Sequence, residues 1–194
     1  MVDVIITGYT FDPEGIAEIL KKLLEEKGRE VRVIDPFEKE RKNLIFRHTL
    51  LTRKTHLSFV KTIEKKLEGT DIDTMYTFSY GVIGILSQFK AKKYVLIAPP
   101  IGTSIFKRIE RIFGFLPGLT EVRNGSLANK LFTQLFMTEM EKIIVLSSEG
   151  DGRVEYSQTI LDELQHVSSI QDFGNIPHKA FMQEISNTKK IVEF

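Results

Sequence analysis

Apolar residues along this chain fall into short blocks that alternate between two rhythms. Val2, Val4, Ile5 and Ile6 form a near-continuous run ending in Thr7-Gly8, and Asp12-Pro13-Glu14 then offers an N-cap with proline at the first helical position. Ile16, Ile19, Leu20, Leu23 and Leu24 recur at helical spacing up to Gly28, after which residues 31–34 read as a second strand. A strand, helix and strand of these lengths predict a parallel pair joined by a right-handed crossover. The rhythm then repeats. Leu57, Val60, Ile63 and Leu67 mark a helix closed by Gly69, residues 72–78 a third strand, 82–89 a helix, and 94–98 a fourth strand stopped by Pro99-Pro100.

Residues 101–140 break the alternation with two amphipathic helices in place of one. Ile105, Phe106, Ile109, Ile112 and Phe113 share a face of the first, and Leu127, Leu131, Phe132, Leu135 and Phe136 a face of the second. Beyond them the pattern predicts a strand over 143–146, a helix through Tyr156, Ile160, Leu161 and Leu164, a strand over 167–173 and a closing helix over 180–185. Strands alternating with helices in this way define a three-layer α/β fold. The expectation is a mostly or wholly parallel sheet of about six strands in a single domain, residues 1–194, with 101–140 as a helical insertion.

Composition narrows the chemistry more than the partner. With 194 residues and 42% hydrophobic content, the chain is long enough for one well-buried core and short for two domains. A net charge of +1 gives no basic field of the kind that draws nucleic acid. The absence of cysteine excludes disulfides, thiolate catalysis and cysteine-ligated metals, leaving hydroxyls, carboxylates and imidazoles as reactive groups. Met1-Val2-Asp3 brings no basic segment ahead of the first apolar run, and no stretch approaches the ~18 apolar residues of a membrane span. A cytoplasmic protein is expected, with no membrane span. Neither G-x-G-x-x-G nor G-x-x-x-x-G-K is present and no metal-ligand spacing appears, so no cofactor and no metal are expected.

Candidate chemistry centres on Ser79, in Thr77-Phe78-Ser79-Tyr80-Gly81, between an apolar strand and a helical pattern. A hydroxyl on a sharp strand-to-helix turn is lifted off the sheet, with its neighbour's amide turned toward any oxyanion it generates. Asp151 follows the fifth strand and His178 the sixth, giving an acid and a base downstream in the order Ser, Asp, His. Glu149 is a neighbouring carboxylate, and His48, His56 and His166 are the other imidazoles.

On these motifs the chain resembles a compact α/β-hydrolase, of the small serine esterase or thioesterase kind, over nearly its whole length. Thr77-Phe78-Ser79-Tyr80-Gly81 resembles the nucleophile elbow, with threonine in place of its first glycine. Ser148-Glu149-Gly150-Asp151 resembles the acid loop, and Gly174-Asn175-Ile176-Pro177-His178 the histidine loop. Thr7-Gly8-Tyr9 resembles the oxyanion turn, with threonine in place of its histidine. The resemblance implies a catalytic triad of Ser79, His178 and Asp151, with the backbone N–H groups of Tyr9 and Tyr80 as oxyanion donors and both tyrosines beside the acyl pocket. It also implies that residues 101–140 form a lid, with Ile105, Phe106, Ile109, Phe113, Phe132 and Phe136 as candidates to line that pocket. The two strands that usually precede the oxyanion turn do not appear ahead of it, so a six-stranded core is expected.

The implied substrate is a small ester or thioester, or an acyl group on an acidic or phosphorylated carrier drawn by Arg41, Lys42, Arg47, Arg53 and Lys54. Apolar positions left exposed on the insertion are compatible with a homodimer. Two other readings follow from the same residues. One is a hydrolase-fold binding module without catalysis, motivated by Thr7 and Thr77. The other is a flavodoxin-like nucleotide or flavin binder, in which Thr7-Gly8-Tyr9-Thr10 cradles phosphate.

Overall fold

The apolar runs over 2–6, 72–78, 94–97 and 143–147 become strands buried on both faces, as expected of a parallel sheet covered by helices, while the edge strands over 31–34 and 169–172 are mostly half-buried or exposed. The computed structural model describes residues 1–8, 13–38, 53–99, 143–148 and 169–177, with Asp162, Gln165, Ala180, Phe181, Glu184 and Ile191. In chain order the elements are β1 (Val2–Ile6), α1 (Pro13–Glu26), β2 (Val31–Ile34), α2 (Arg53–Leu67) and β3 (Ile72–Phe78). A 3-10 helix (Ser79–Leu86), β4 (Ala91–Ile97), β5 (Ile143–Ser147) and β6 (Ser169–Asp172) follow. The six strands form one sheet in the order β2-β1-β3-β4-β5-β6, and all five neighbouring pairs are parallel.

Alternation along each strand divides the core into two layers. Val4 and Ile6 of β1, Met75 of β3, Leu96 of β4 and Val145 of β5 face α2 and the 3-10 helix, packing with Phe59, Ile63, Leu67, Val82, Ile83 and Ile85. The intervening residues Ile5, Tyr76, Val95, Ile97, Ile144 and Leu146 face α1 through Ala17, Leu20 and Leu24, joined by Phe181 and Ile191. This is the three-layer α/β architecture expected from the sequence. Burying each such leucine or isoleucine fully contributes about 1.5–3 kcal/mol before chain entropy is counted.

Local chemistry sets the element ends. Pro13 opens α1, while Gly28 and Gly69, at φ +76° and +70°, terminate α1 and α2 in the left-handed conformation that glycine adopts without a steric penalty. Ile19 turns out 37% exposed, since Ala17, Leu20 and Leu24 are the positions aligned on the sheet-facing side of α1. Strand β4 begins at Ala91 rather than Tyr94, because Lys92 and Lys93 extend the ladder beyond the apolar block, with Lys93 in register with Thr74. Strand β6 covers 169–172. Residues 101–140, the N-cap Asp12 and the positions Tyr156, Ile160, Leu161 and Leu164 lie outside the described residues, while Asp162 and Gln165 of that expected helix are helical. Of the closing helix, Ala180, Phe181 and Glu184 are helical, and Phe181 N–H donates to Pro177 O at 2.9 Å.

The segment expected as a helix over 82–89 is instead the 3-10 helix Ser79–Leu86, starting on the serine itself. Two glycines explain the tighter winding. Residues three apart eclipse one another in a 3-10 helix, so Gly81 and Gly84 lie on one side together. A Cβ on Gly81 would sit 2.5 Å from Ile6 O and 2.8 Å from Thr7 O, and one on Gly84 would fall on Ile6 Cδ1. Bare glycine thus allows the helix to press against β1. Its far end is tied by Ser87 N–H to Gly84 O at 3.0 Å, by Lys90 Nζ to Ser87 O at 2.9 Å, and by Gln88 N–H to Glu64 Oε1 of α2 at 3.0 Å.

Candidate active site

In open parallel sheets ligands bind beyond the carboxyl ends of the strands, where the chain reverses its direction of travel across the sheet. Here the reversal falls between β1 and β3, since β2 lies to one side of β1 and β3 to β6 follow on the other. Thr7-Gly8 leaves β1 at that point and Ser79 leaves β3 beside it.

Ser79 has φ 47°, in the left-handed region, directly after the extended Phe78 at φ −102° and ψ 124°. An L-residue with a Cβ at such a φ is strained by about 1–2 kcal/mol, and strain of this kind gathers at functional sites. The side chain is half-buried at the start of the 3-10 helix. The turn after β1 packs directly on it: a Cβ on Gly8 would lie 2.8 Å from Phe78 O and 3.3 Å from Ser79 Cβ. Gly8 and Gly81 together therefore let two backbone turns close around one serine.

Thr77, in place of the elbow's usual first glycine, is accommodated because the close approaches fall at Gly8 and Gly81. Its side chain is fully buried, and its Oγ1 finds no hydrogen-bond partner among the described residues. Thr7 is 2% exposed with its Oγ1 in the same condition, while its amide donates to Ile34 O at 3.0 Å. Tyr80 is buried, its ring centroid 5.9 Å from that of Phe37 in the layer beneath α2.

Ala98, unremarked in the sequence, has φ 45°. Phe78 and Ile97 are register partners at the ends of β3 and β4, so Ser79 and Ala98 are neighbouring left-handed residues on one rim. The only available sequence signal is Pro99-Pro100, which marks a break and not its geometry.

Asp151, His178 and Tyr9 lie outside the described residues. So do the insertion positions Ile105, Phe106, Ile109, Phe113, Phe132 and Phe136, with Glu149, His48, His166 and the basic residues Arg41, Lys42 and Arg47. What the structure does place are the strand ends that carry two of them. β5 and β6 are adjacent and parallel, with Ser147 paired to Asp172, so the chain leaves both strands toward 151 and 178 at the same rim as Ser79. Ser148 Oγ joins the two exits, 2.7 Å from Gly174 O and 2.6 Å from Ile176 O, and accepts Ile176 N–H at 3.0 Å. The sequence pattern assigns no role to Ser148. Among the described residues no group of His, Asp or Glu is arranged to hold a metal ion, and no helix is long and apolar enough to cross a membrane.

The opposite rim holds a polar cluster that the sequence pattern also passes over. Asp3, 2% exposed, accepts from Arg29 Nη2 at 2.7 Å and from Thr74 N–H at 3.2 Å, with Arg29 Nε 2.5 Å from its second oxygen. A register shift between Val2 and Val4 sets two β3 residues, Asp73 and Thr74, opposite Asp3. Arg29 also reaches Asp73 and Thr74 Oγ1, each at 3.2 Å. Burial raises the Asp3 carboxyl above its ordinary value, opposed by Arg29, and burial with the nearby Asp3 charge pushes the Tyr76 phenol up to about 12.

No protein-family model and no curated protein matches the sequence. Solved structures do match in fold. A protein of Xanthomonas campestris pv. campestris assigned to the alpha/beta superfamily of hydrolases aligns with a TM-score of 0.58 at 14% identity, over 98% of this chain and 96% of its own. An esterase of Pyrococcus furiosus aligns with a TM-score of 0.61 at 16% identity, over 99% and 81%. An alpha/beta hydrolase enzyme from the metagenome of Mar Chica lagoon sediments gives 0.60 at 11%, over 96% and 85%. At these identities the likeness is one of fold: the chain has the α/β-hydrolase fold. A strand order beginning 2-1-3-4-5 is also that of flavodoxin-like sheets.

Proposed function

We propose that the protein is a serine hydrolase that cleaves a carboxylic ester or thioester through an acyl-enzyme on Ser79. The observation that carries this reading is the left-handed conformation of Ser79 at the switch point of the sheet, on a fold shared with hydrolases and esterases. Ser79 Oγ attacks the acyl carbon as His178 takes its proton. The carbonyl oxygen becomes an oxyanion held by the amides of Tyr80 and Tyr9, and the contact of Gly8 with the elbow supports that pairing. Collapse expels the alcohol or thiol with the proton returned by His178, and water repeats the sequence to release the acid. Asp151 holds the imidazole in the productive tautomer. Residues 101–140 form a lid whose phenylalanine-rich faces cover an apolar acyl group.

Fluorophosphonate labelling followed by peptide mapping tests the assignment. The label is expected on Ser79, and Ser79→Ala is expected to lose label and to lower kcat for 4-nitrophenyl esters by about 10⁴-fold or more. Equal turnover by Ser79→Ala, or label placed elsewhere, refutes it.

A further inference from the structure

Ser148 is the first residue past β5, and its side chain is enclosed at 4% exposure. The β5–β6 ladder reaches its last backbone rung just before it, where Phe173 N–H donates to Ser147 O at 2.9 Å. Beyond that rung the chain turns at Gly174, φ +76°, whose amide donates to Asp172 Oδ2 at 3.2 Å. The turn brings two carbonyls and one amide, from Gly174 and Ile176, onto a single hydroxyl. A serine hydroxyl has one proton and two lone pairs, so Ser148 donates to one carbonyl at a time while accepting the Ile176 amide. Both of its functions are used between the same two segments.

Resting on the serine-hydrolase reading, we propose that Ser148 is a positioning residue that fixes the acid-bearing and histidine-bearing exits of β5 and β6 against one another. Asp151 is three residues past Ser148, and His178 two past Ile176. A chain spans at most about 3.3–3.6 Å per residue, which holds the Asp151 Cα within about 11 Å of that of Ser148, and the His178 Cα within about 7 Å of that of Ile176. Ser148 therefore joins the two exits at nearly the last position before the triad members themselves. An imidazole and its orienting carboxylate work at hydrogen-bond distance, about 2.6–3.2 Å. Misplacement by about 1 Å is enough to cost on the order of 100-fold in rate. Loosening one exit relative to the other acts on that distance without removing any group that touches substrate.

The test is Ser148→Ala beside Ser148→Thr, which retains the hydroxyl, assayed on 4-nitrophenyl esters across pH with melting temperature followed in parallel. Ser148→Ala is expected to lower kcat by about 10–100-fold with KM changed less than about threefold. The apparent pKa of the base in kcat/KM is expected to move down as the carboxylate loses its hold on the imidazolium, and Ser148→Thr to restore most of kcat. A purely structural role lowers the melting temperature of Ser148→Ala and leaves its kcat and pH profile at the wild-type values. That result overturns the proposal. Should Ser148→Ala not fold, Ser148→Cys, with its weaker donor, is read by the same criteria against Ser148→Thr. Wild-type protein that takes no fluorophosphonate on Ser79 and turns over no ester refutes the hydrolase reading, and the role of Ser148 with it. A labelled, active wild type beside an unimpaired Ser148→Ala refutes the role alone.

Discussion

The two rims of the sheet, about 13–23 Å apart for strands of four to seven residues, differ in how they handle polarity and strain. At the amino-terminal rim Asp3 is buried but held from three directions, by two nitrogens of Arg29 and the Thr74 amide. At the carboxyl-terminal rim two consecutive strands end in left-handed L-residues, Ser79 and Ala98, and two buried threonine hydroxyls, of Thr7 and Thr77, find no partner among the described residues. An ion pair holds the buried charge at one end, although Asp3 Oδ2 and the Tyr76 hydroxyl there lack a hydrogen bond among the described residues, while backbone strain gathers at the other. The difference teaches where this fold keeps its reserve of instability: beside the candidate nucleophile, at the end where ligands bind in such sheets.

Substitution of Arg29 should break the comparison hardest. Arg29→Met strands the Asp3 carboxylate without its partner and is expected to lower stability by about 3–5 kcal/mol in urea unfolding at pH 7, with kcat of the folded protein unchanged. Lost turnover at undiminished stability would place functional weight on the wrong rim. A smaller effect of opposite sign is expected at Ser79. Ser79→Gly removes the left-handed penalty and concedes part of it to a freer unfolded chain. It should therefore be more stable than Ser79→Ala by about 1 kcal/mol, both variants being inactive. Equal melting curves would mean that the serine is not strained.

The smallest effect lies in pH. Folding raises the pKa of Asp3 above its ordinary value of 3.8, so the folded chain binds this proton more tightly than the unfolded one. The stability contributed by that difference is full below pH 3.8 and lost as pH rises through the folded value. The stability of wild type minus that of Asp3→Asn, from urea melts at successive pH values, is accordingly expected to fall as pH rises above 3.8 and then level off. A difference that rises with pH would show that Arg29 outweighs burial.

Much of the fold is legible in the sequence because buried parallel strands advertise themselves as apolar runs. β1, β2 and β3 occur where the pattern predicts, and β5 extends one residue further. The pattern fails where polarity serves the structure. Lys92 and Lys93 hide the start of β4, and Asp3 interrupts an apolar run for a reason visible only in the bulge and in Arg29, twenty-six residues away. Gly81 and Gly84 stand at i and i+3, a spacing plain in the sequence, yet their effect on helix type depends on how close β1 lies. Ser79 is legible from its place between a strand and a helix, whereas its φ is not, and neither is that of Ala98. Ser148 is silent in the sequence because a lone serine after a strand has no periodicity to give it away; its importance lies in what folds back onto it.

Gly81 meets β1 through the carbonyl oxygens of Ile6 and Thr7, atoms that every amino acid possesses. On the β1 side, therefore, that part of the seam does not register which side chains the strand carries. A lineage can rewrite β1 residue by residue under the demands of its core, and this contact transmits none of those changes to the serine. The hydrogen that serves as the side chain of residue 81 leaves this one contact indifferent to such drift, whereas Gly84, three residues on, meets Ile6 through the isoleucine side chain.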